Sequence, residues 1–411
     1  MKKTLVWAFF TVFALSQWLF GAEVTVPKLE ITSRGASEDG NFTISTSAEA
    51  DIGINGGYKY GVLLGLGFEA RNLEKALSYG RLKLPYSSPV NPAQAEYDEM
   101  VDELNDRYNN QAVLSLRLLE ATVRELFNKP LDVSFFSGRY HNLGSGEEFV
   151  SRFGTVPVGT SYKGFFYFPD GIGGDSSRRY NGGMHSVFGT GFAATLNVSD
   201  VVVPTLYVYQ DLSYRQSYPG EQLGGIFSGD FRLLVNSKNA KLEFFSGGSY
   251  IREHVPVFYG GLLAFFSSGV GLDFLFQAGI PFWRYGEGIS IDNCYFLMEP
   301  QLRVGVMGLN ITFFYHPVYY QNVEAPAEKG RADVNTKLFF GSINKNSFEG
   351  GVESTLSFKI DNGSGFNMWV SPFISAVTSG LQWDFKIRVN PLYFTEGGDF
   401  AEGFIGIRTA F

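Results

Sequence analysis

The chain has 411 residues, of which 45% are hydrophobic and 18% are charged, and its formal net charge is −8. This acidic balance gives no basic footprint for nucleic acid, and the single cysteine excludes both an internal disulfide framework and a zinc cluster built on cysteines. The 49 glycines, 40 phenylalanines and 22 tyrosines indicate many strands and turns.

Residues 1–22 are typical of a secretory signal peptide. A basic start at Lys2 and Lys3 precedes an apolar stretch and a small-residue cleavage site at Ala22. An uncleaved membrane anchor is the alternative interpretation. Cleavage would leave residues 23–411 as one domain, and losing the two lysines would take the net charge from −8 to −10.

The remaining chain alternates apolar and polar residues with a period of two, which is the pattern of β-strands. In residues 42–54, for example, Ile44 and Ile52 lie on one face, while Glu49 and Asp51 lie on the other. The same alternation recurs in segment after segment to the last residue.

The connections between these strands are alternately short and long. Residues 55–57 and 199–200 form short turns, whereas 71–110 and 141–184 form long loops. Short periplasmic turns and long extracellular loops are typical of outer-membrane barrels, and an even count requires a further strand at 24–34. We therefore predict an all-β fold, a closed antiparallel transmembrane barrel of 18 strands, with 16 as the alternative.

The last predicted strand, residues 400–411, ends on an aromatic residue. Ile405, Ile407 and Phe411 resemble the C-terminal signature by which the barrel assembly machinery recognises outer-membrane barrels. Residues 118–149, a hairpin that leads into a Gly-rich loop, resemble the corresponding part of large general and substrate-specific porins. The resemblance implies a channel in the outer membrane.

The polar face of each strand in such a barrel lines the lumen. Charges of both signs occur there in close numbers, so we expect a water-filled channel whose selectivity is tuned by transverse charges. The alternative is that individual residues pair across strands and support the wall. The predicted lumen-facing residues are Glu49, Asp51, Lys59, Asp230, Arg232, Lys241, Glu243, Asp273, Glu299, Arg303, Asp333, Lys337, Glu353, Lys359, Asp384, Lys386 and Arg388.

The two long loops have different compositions. The loop at 141–184 is rich in aromatic residues, and we predict that it folds inward as a constriction, with a surface loop as the alternative. Its charged residues are Glu147, Glu148, Arg152, Lys163, Asp170, Asp175, Arg178 and Arg179. The loop at 71–110 contains a predicted acidic helix at 91–107, which either gates the outer mouth or is an ordinary solvated helix.

We therefore predict a porin that is exported by a cleaved signal peptide and lets small hydrophilic solutes diffuse passively across the outer membrane. Its expected partners are outer-membrane lipid, the barrel assembly machinery and the solutes, with no cofactor and no nucleic acid; a homo-oligomer is compatible with this. The alternatives are a transporter of hydrophobic substrates, an adhesin and, last, a barrel hydrolase. The sequence Asn91-Pro92-Ala93 resembles a short box of fatty-acid-transporting barrels.

The sequence contains no pattern that favours an enzyme. The four histidines have no paired metal-ligand spacing, and there is no nucleophile elbow. We therefore predict that the protein is not an enzyme.

Overall fold

The computed structural model covers most of the predicted strands. It describes residues 22–38, 41–70, 111–155, 158–162, 184–213, 226–251, 255–316, 331–343, 347–359, 366–393 and 401–409, with Asn72, Lys75, Val101, Leu104, Asp106 and Arg107 from the first long loop. Most of the predicted signal peptide and the terminal Phe411 lie outside the described residues.

The described part of the chain contains 18 β-strands. In chain order they are β1 (Ala22–Glu38), β2 (Asn41–Gly56), β3 (Tyr60–Ala70), β4 (Ala112–Val123), β5 (Leu131–Leu143), β6 (His185–Leu196), β7 (Val202–Asp211), β8 (Ile226–Asn236), β9 (Ala240–Ile251), β10 (Val257–Ser267), β11 (Leu272–Arg284), β12 (Tyr295–Val304), β13 (Met307–His316), β14 (Arg331–Ser342), β15 (Phe348–Lys359), β16 (Phe366–Thr378), β17 (Leu381–Val389) and β18 (Ala401–Thr409).

Among the described residues, helical structure occurs only in the connections between strands. Helix α1 (Glu147–Phe153) lies in the loop after β5, and single 3-10 turns occur at Leu126–Asn128, Ile291–Asn293 and Pro391–Tyr393. Within the first long loop, Val101, Leu104, Asp106 and Arg107 are also helical. Among the described residues, no helix combines the length and apolar character needed to cross a membrane.

The sheet closes on itself. Each strand pairs antiparallel with its neighbours in sequence, and β1 also pairs with β18. In the closing pair, Glu30 lies opposite Arg408 and Ile31 lies opposite Ile407. A closed sheet has no unpaired edge, which is the condition for a sheet to sit in lipid. The prediction of an all-β barrel with 18 antiparallel strands is confirmed.

The first strand is longer than predicted. We expected residues 24–34, whereas β1 spans Ala22–Glu38 because its last residues continue the ladder with β2, as far as Glu38 opposite Asn41. Only residues 39–40 separate the two strands. The connections otherwise alternate as predicted, for example between the two-residue turn 379–380 and the long connection 144–184.

The two faces of the sheet have opposite chemistry. On β8, Phe227 and Phe231 point outward and are exposed, whereas Asp230 and Arg232 point inward and are fully buried. A water-soluble protein places these residue types the other way round. Apolar side chains outside and polar ones inside are the pattern of a barrel in lipid.

The hydrophobic core lies inside the barrel. It is built from inward-facing residues of β5–β13 and from loop residues between β5 and β6, among them Phe149, Val158 and Tyr162. We call this side of the interior the loop-covered half, and the side formed by β14–β18 and β1 the open half.

Candidate functional site

Most of the charged residues predicted to line the lumen lie on the inner face of the sheet. They are Glu49, Asp51, Asp230, Arg232, Lys241, Glu243, Asp273, Glu299, Arg303, Asp333, Lys337, Glu353, Asp384, Lys386 and Arg388.

Two predicted lumen residues differ from the rest. Lys59 is wrongly assigned to the lumen, because β2 ends at Gly56 and the turn that follows leaves the lysine exposed at the rim. Its Nζ donates to Asn128 Oδ1 of the neighbouring turn at 2.8 Å. Lys359 is the last residue of β15, and its side chain lies outside the described part of the chain.

The loop after β5 folds into the barrel and is held at its start by Glu243. The backbone N–H groups of Gly144 and Gly146 donate to the two carboxylate oxygens of Glu243 at 2.9 and 3.2 Å. Gln277 Nε2 donates to the carbonyl of Gly144 at 2.8 Å. Glu243 is fully buried, so these bonds form where water does not compete.

A second attachment lies further along the loop, at Glu299 of β12. The N–H of Ser161 donates to both carboxylate oxygens, at 2.9 and 3.1 Å, and the Thr160 hydroxyl also donates to Glu299. Next to it, Tyr162 Oη donates to Asp333 Oδ2 at 3.3 Å. Residues 158–162 are thereby fixed against the inner wall.

Helix α1 places Glu148 at the centre of a buried charge cluster. Its carboxylate lies 3.0 Å from His141 Nε2, 3.2 Å from Arg152 Nε and 3.1 Å from Arg232 Nη2. Burial by itself favours the neutral acid, but the charges of His141, Arg232 and Arg152 outweigh it and hold the pKa of Glu148 well below its usual range. The guanidinium of Arg232 also lies over the Tyr207 ring, 5.5 Å from its centroid.

The structure brings part of the predicted constriction loop together. Glu148 and Arg152 pair inside the barrel, whereas Glu147 is exposed. The other predicted loop residues, Lys163, Asp170, Asp175, Arg178 and Arg179, lie outside the described part of the chain.

The charges of the open half pair with one another instead of with the loop backbone. Lys386 Nζ lies 2.5 Å from Glu353 Oε2, and Arg408 Nη2 lies 2.8 Å from Asp384 Oδ2. Both pairs lie on the inner face: Arg408 and Asp384 are on the neighbouring strands β18 and β17, whereas Lys386 on β17 reaches across β16 to Glu353 on β15.

A cavity of about 120 Å³ lies between the loop and the wall of the open half, with Ser161 on the loop side. Three cations and three carboxylates contribute to its lining, and they are Lys337, Lys386, Arg408, Glu30, Glu353 and Asp384. The rings of Phe373 and Phe404 line it as well. The cavity lining therefore combines both signs of charge with aromatic surface.

Two further charges lie on the inner face: Glu30, which sequence reasoning missed although its position gave a signal, and Arg408, which the alternation with the lipid-facing Ile407 assigns to the lumen. Glu30 and Arg34 are an even number of residues apart on β1, and so are Glu402 and Arg408 on β18, so each pair shares one face of its strand. All four side chains lie on the inner face. Phe404 also points inward, where alternation alone favours a polar residue, so no sequence signal identified it.

The residues of the predicted assembly signal are only partly described. Ile405 faces outward and is half-exposed, and Ile407 faces the same way beside Ile31 of β1. Phe411 lies outside the described residues, so its role stays a prediction.

The sequence matches no protein-family model, and none of the curated proteins compared with it matches. Solved structures from Pseudomonas aeruginosa do match it in fold: OccK5 (OpdH) at 8% identity and TM-score 0.51, over 95% of this chain and 97% of that one. OccD3 (OpdP) matches at 9% and 0.50, over 94% and 90% of the two chains, and the outer membrane protein opdK matches at 10% and 0.50, over 94% and 98%. At these identities the likeness extends to the fold, and it covers nearly the whole of this chain.

Proposed function

We propose that the protein is a channel for passive diffusion of small hydrophilic solutes across a bacterial outer membrane. The observation that carries this proposal is the contrast between the two faces of the closed sheet, with apolar side chains outside and ion pairs inside. A polar interior enclosed by a lipid-compatible exterior provides a hydrated route through a bilayer.

The inward loop would set the width of this route. Its attachments to Glu243 and Glu299 keep residues 144–155 and 158–162 against the wall and fill the loop-covered half with packed side chains. Solutes would then cross beside the open half, where the cavity next to Ser161 lies. We assign the constriction to this part of the loop.

Export and assembly complete the proposal, and both rest on the sequence. Residues 1–22 would direct the chain to the envelope as a cleaved signal peptide, leaving 23–411 as the barrel. The barrel assembly machinery would recognise the terminal strand through Ile405, Ile407 and Phe411.

A transporter of hydrophobic substrates is less favoured by the packing. Such a protein needs an open apolar path, whereas interior apolar residues such as Tyr295 and Phe314 are packed against each other, with ring centroids 5.3 Å apart. The cavity is instead bounded by charged groups. A diffusion channel needs no catalytic group, and we expect no hydrolase activity.

Planar-bilayer recording tests the proposal. Protein extracted in detergent and shown to be folded by heat-modifiable gel mobility should give discrete, reproducible conductance steps, and the same preparation after boiling should give none. Folded barrel that inserts but stays silent in repeated recordings would rule out the channel.

A further inference from the structure

We infer that the cavity beside Ser161 is a binding subsite for small zwitterionic solutes that carry an apolar side group, the chemical class of neutral α-amino acids. The inference rests on the proposed function, because it names the solute class of the same passage. It is carried by the arrangement of charge, aromatic surface and empty space around the cavity.

The cross-strand register explains why space exists at this point of the wall. Ser375 lies opposite Asp384, Asp384 opposite Gly406, and Gly406 opposite Thr32, which forms a row of small side chains across four strands. Gly406 has no side chain, and a Cβ there would come within 2.9 Å of the far end of the Phe404 ring. The row is a shallow trough between larger residues on either side.

The row on one side of the trough provides a cation between two aromatic rings. Phe373 lies opposite Lys386, and Lys386 lies opposite Phe404. The ammonium of Lys386 is paired with the carboxylate of Glu353, so a cation and an anion lie side by side next to the trough. On the other side, Arg408 lies opposite Glu30 of β1 and is paired with Asp384.

This balance of charge disfavours solutes with a single charge. An anion that approaches Lys386 also meets Glu353, and a cation that approaches Glu353 also meets Lys386, so part of each attraction is cancelled. A zwitterion can place its carboxylate at the cation and its ammonium at the carboxylate. Both wall charges then keep an opposite partner, and no buried charge is left unpaired.

The rest of the cavity suits an apolar group of modest size. The rings of Phe373 and Phe404 offer aromatic surface beside the charges, and Ser161 faces them from the loop. The buried Ser161 hydroxyl oxygen has no hydrogen-bond partner among the described residues, so it can accept or donate one bond. The cavity of about 120 Å³ is well above the roughly 10–15 Å³ that one water requires, so it has room for a small organic group.

Three probes that share a phenyl ring but differ in charge test the inference. L-Phenylalanine is a zwitterion, phenylacetate an anion and phenethylamine a cation. In single-channel recordings of the full protein, L-phenylalanine should interrupt the current saturably, at a concentration roughly tenfold lower than either of the other two. Phenylacetate or phenethylamine acting at an equal or lower concentration would overturn the zwitterion assignment.

Two substitutions should move the preference in opposite directions. Lys386→Gln leaves the carboxylate of Glu353 without its cation and should favour phenethylamine, whereas Glu353→Gln should favour phenylacetate. Lys238→Gln, in an exposed turn, makes the same charge change as Lys386→Gln and should leave all three probes as in the wild type. If the three probes kept the wild-type order of blocking concentrations in both cavity variants, the inference would be contradicted.

A variant without a charge change covers the case in which the ion-pair variants do not fold. Gly406→Val fills the trough with an apolar side chain that suits a strand, and it should abolish block by L-phenylalanine while discrete conductance remains. Block that persists in a folded Gly406→Val channel would reject the site. Folded wild-type protein without conductance would refute the channel and the subsite together, whereas conductance without selective block would refute only the subsite.

Discussion

The loop-covered half and the open half of the barrel interior use the same residue types for different purposes. In the loop-covered half, Glu243 and Glu299 accept hydrogen bonds from loop backbone and are fully buried. In the open half, Asp384 and Arg408 pair with each other across two strands and keep part of their surface exposed. The role of an inward charge therefore depends on what covers it. A wall carboxylate that the loop shields from water accepts hydrogen bonds from the loop backbone, whereas one that stays partly exposed pairs with a side chain of the wall.

Replacing an arginine in each half should separate the two roles most strongly. Arg232→Met removes the fully buried member of the charge cluster around Glu148 and should cost about 3–5 kcal/mol, because the buried carboxylate then keeps only its more exposed partners His141 and Arg152. Arg408→Met, in the open half, should cost about 1 kcal/mol or less. Each variant is heated to increasing temperatures, and the midpoint is the temperature at which half of the heat-modifiable folded band is lost on a gel. Similar midpoint temperatures for the two variants would remove the distinction between the halves.

Removing a carboxylate from each half sharpens the comparison at the level of conductance. Glu299→Ala takes away the acceptor of Ser161 and Thr160 and should cost about 2–4 kcal/mol, and the released loop should change the single-channel conductance and make it noisy. The matched variant Asp384→Ala should alter ion selectivity while the current stays quiet. If Asp384→Ala gave the noisy current and Glu299→Ala did not, the loop attachment would be wrongly placed.

The two faces of one strand provide an internal test of the barrel wall. Ile407 faces outward on β18, where a lysine costs about 2–4 kcal/mol at the bilayer midplane and less toward the interface. Ile407→Lys should therefore reduce the folded fraction in outer membranes more than Arg408→Ala, which changes only the inner face. The reverse order would mean that the faces of this strand are exchanged.

The smallest expected effect is that of mild acid on the loop-covered half. The pKa of Glu148 is held below its usual range, so the stability that this carboxylate contributes is complete above the usual glutamate value of about 4.3 and is lost as the pH falls through the lowered folded-state value. The difference in conductance between the wild type and Glu148→Gln should be constant from about pH 7 to pH 5 and should change only in stronger acid. Glu148→Gln, which has no carboxylate at this position to protonate, should lack that acid transition.

Much of the fold was predictable because it depends on local patterns. A period of two assigns each side chain to a face, and the alternation of short and long connections assigns each strand a direction, so the 18-stranded barrel and most inward charges follow from neighbouring residues. Lys59 shows where this reasoning ends. The apolar–polar alternation assigns its side chain to the lumen face, but the turn begins just before Lys59 and places the residue at the rim.

The sequence by itself determined which faces the strands present, whereas only the tertiary structure decided what each inward residue does. Glu299 is 138 residues from Ser161, and Glu243 is 99 residues from Gly144, so no local pattern marks them as partners. The inward ring of Phe404 and the gap at Gly406 depend likewise on the register between strands. Periodicity is a property of neighbours along the chain, while burial, pairing and cavities arise when distant segments meet inside the closed barrel.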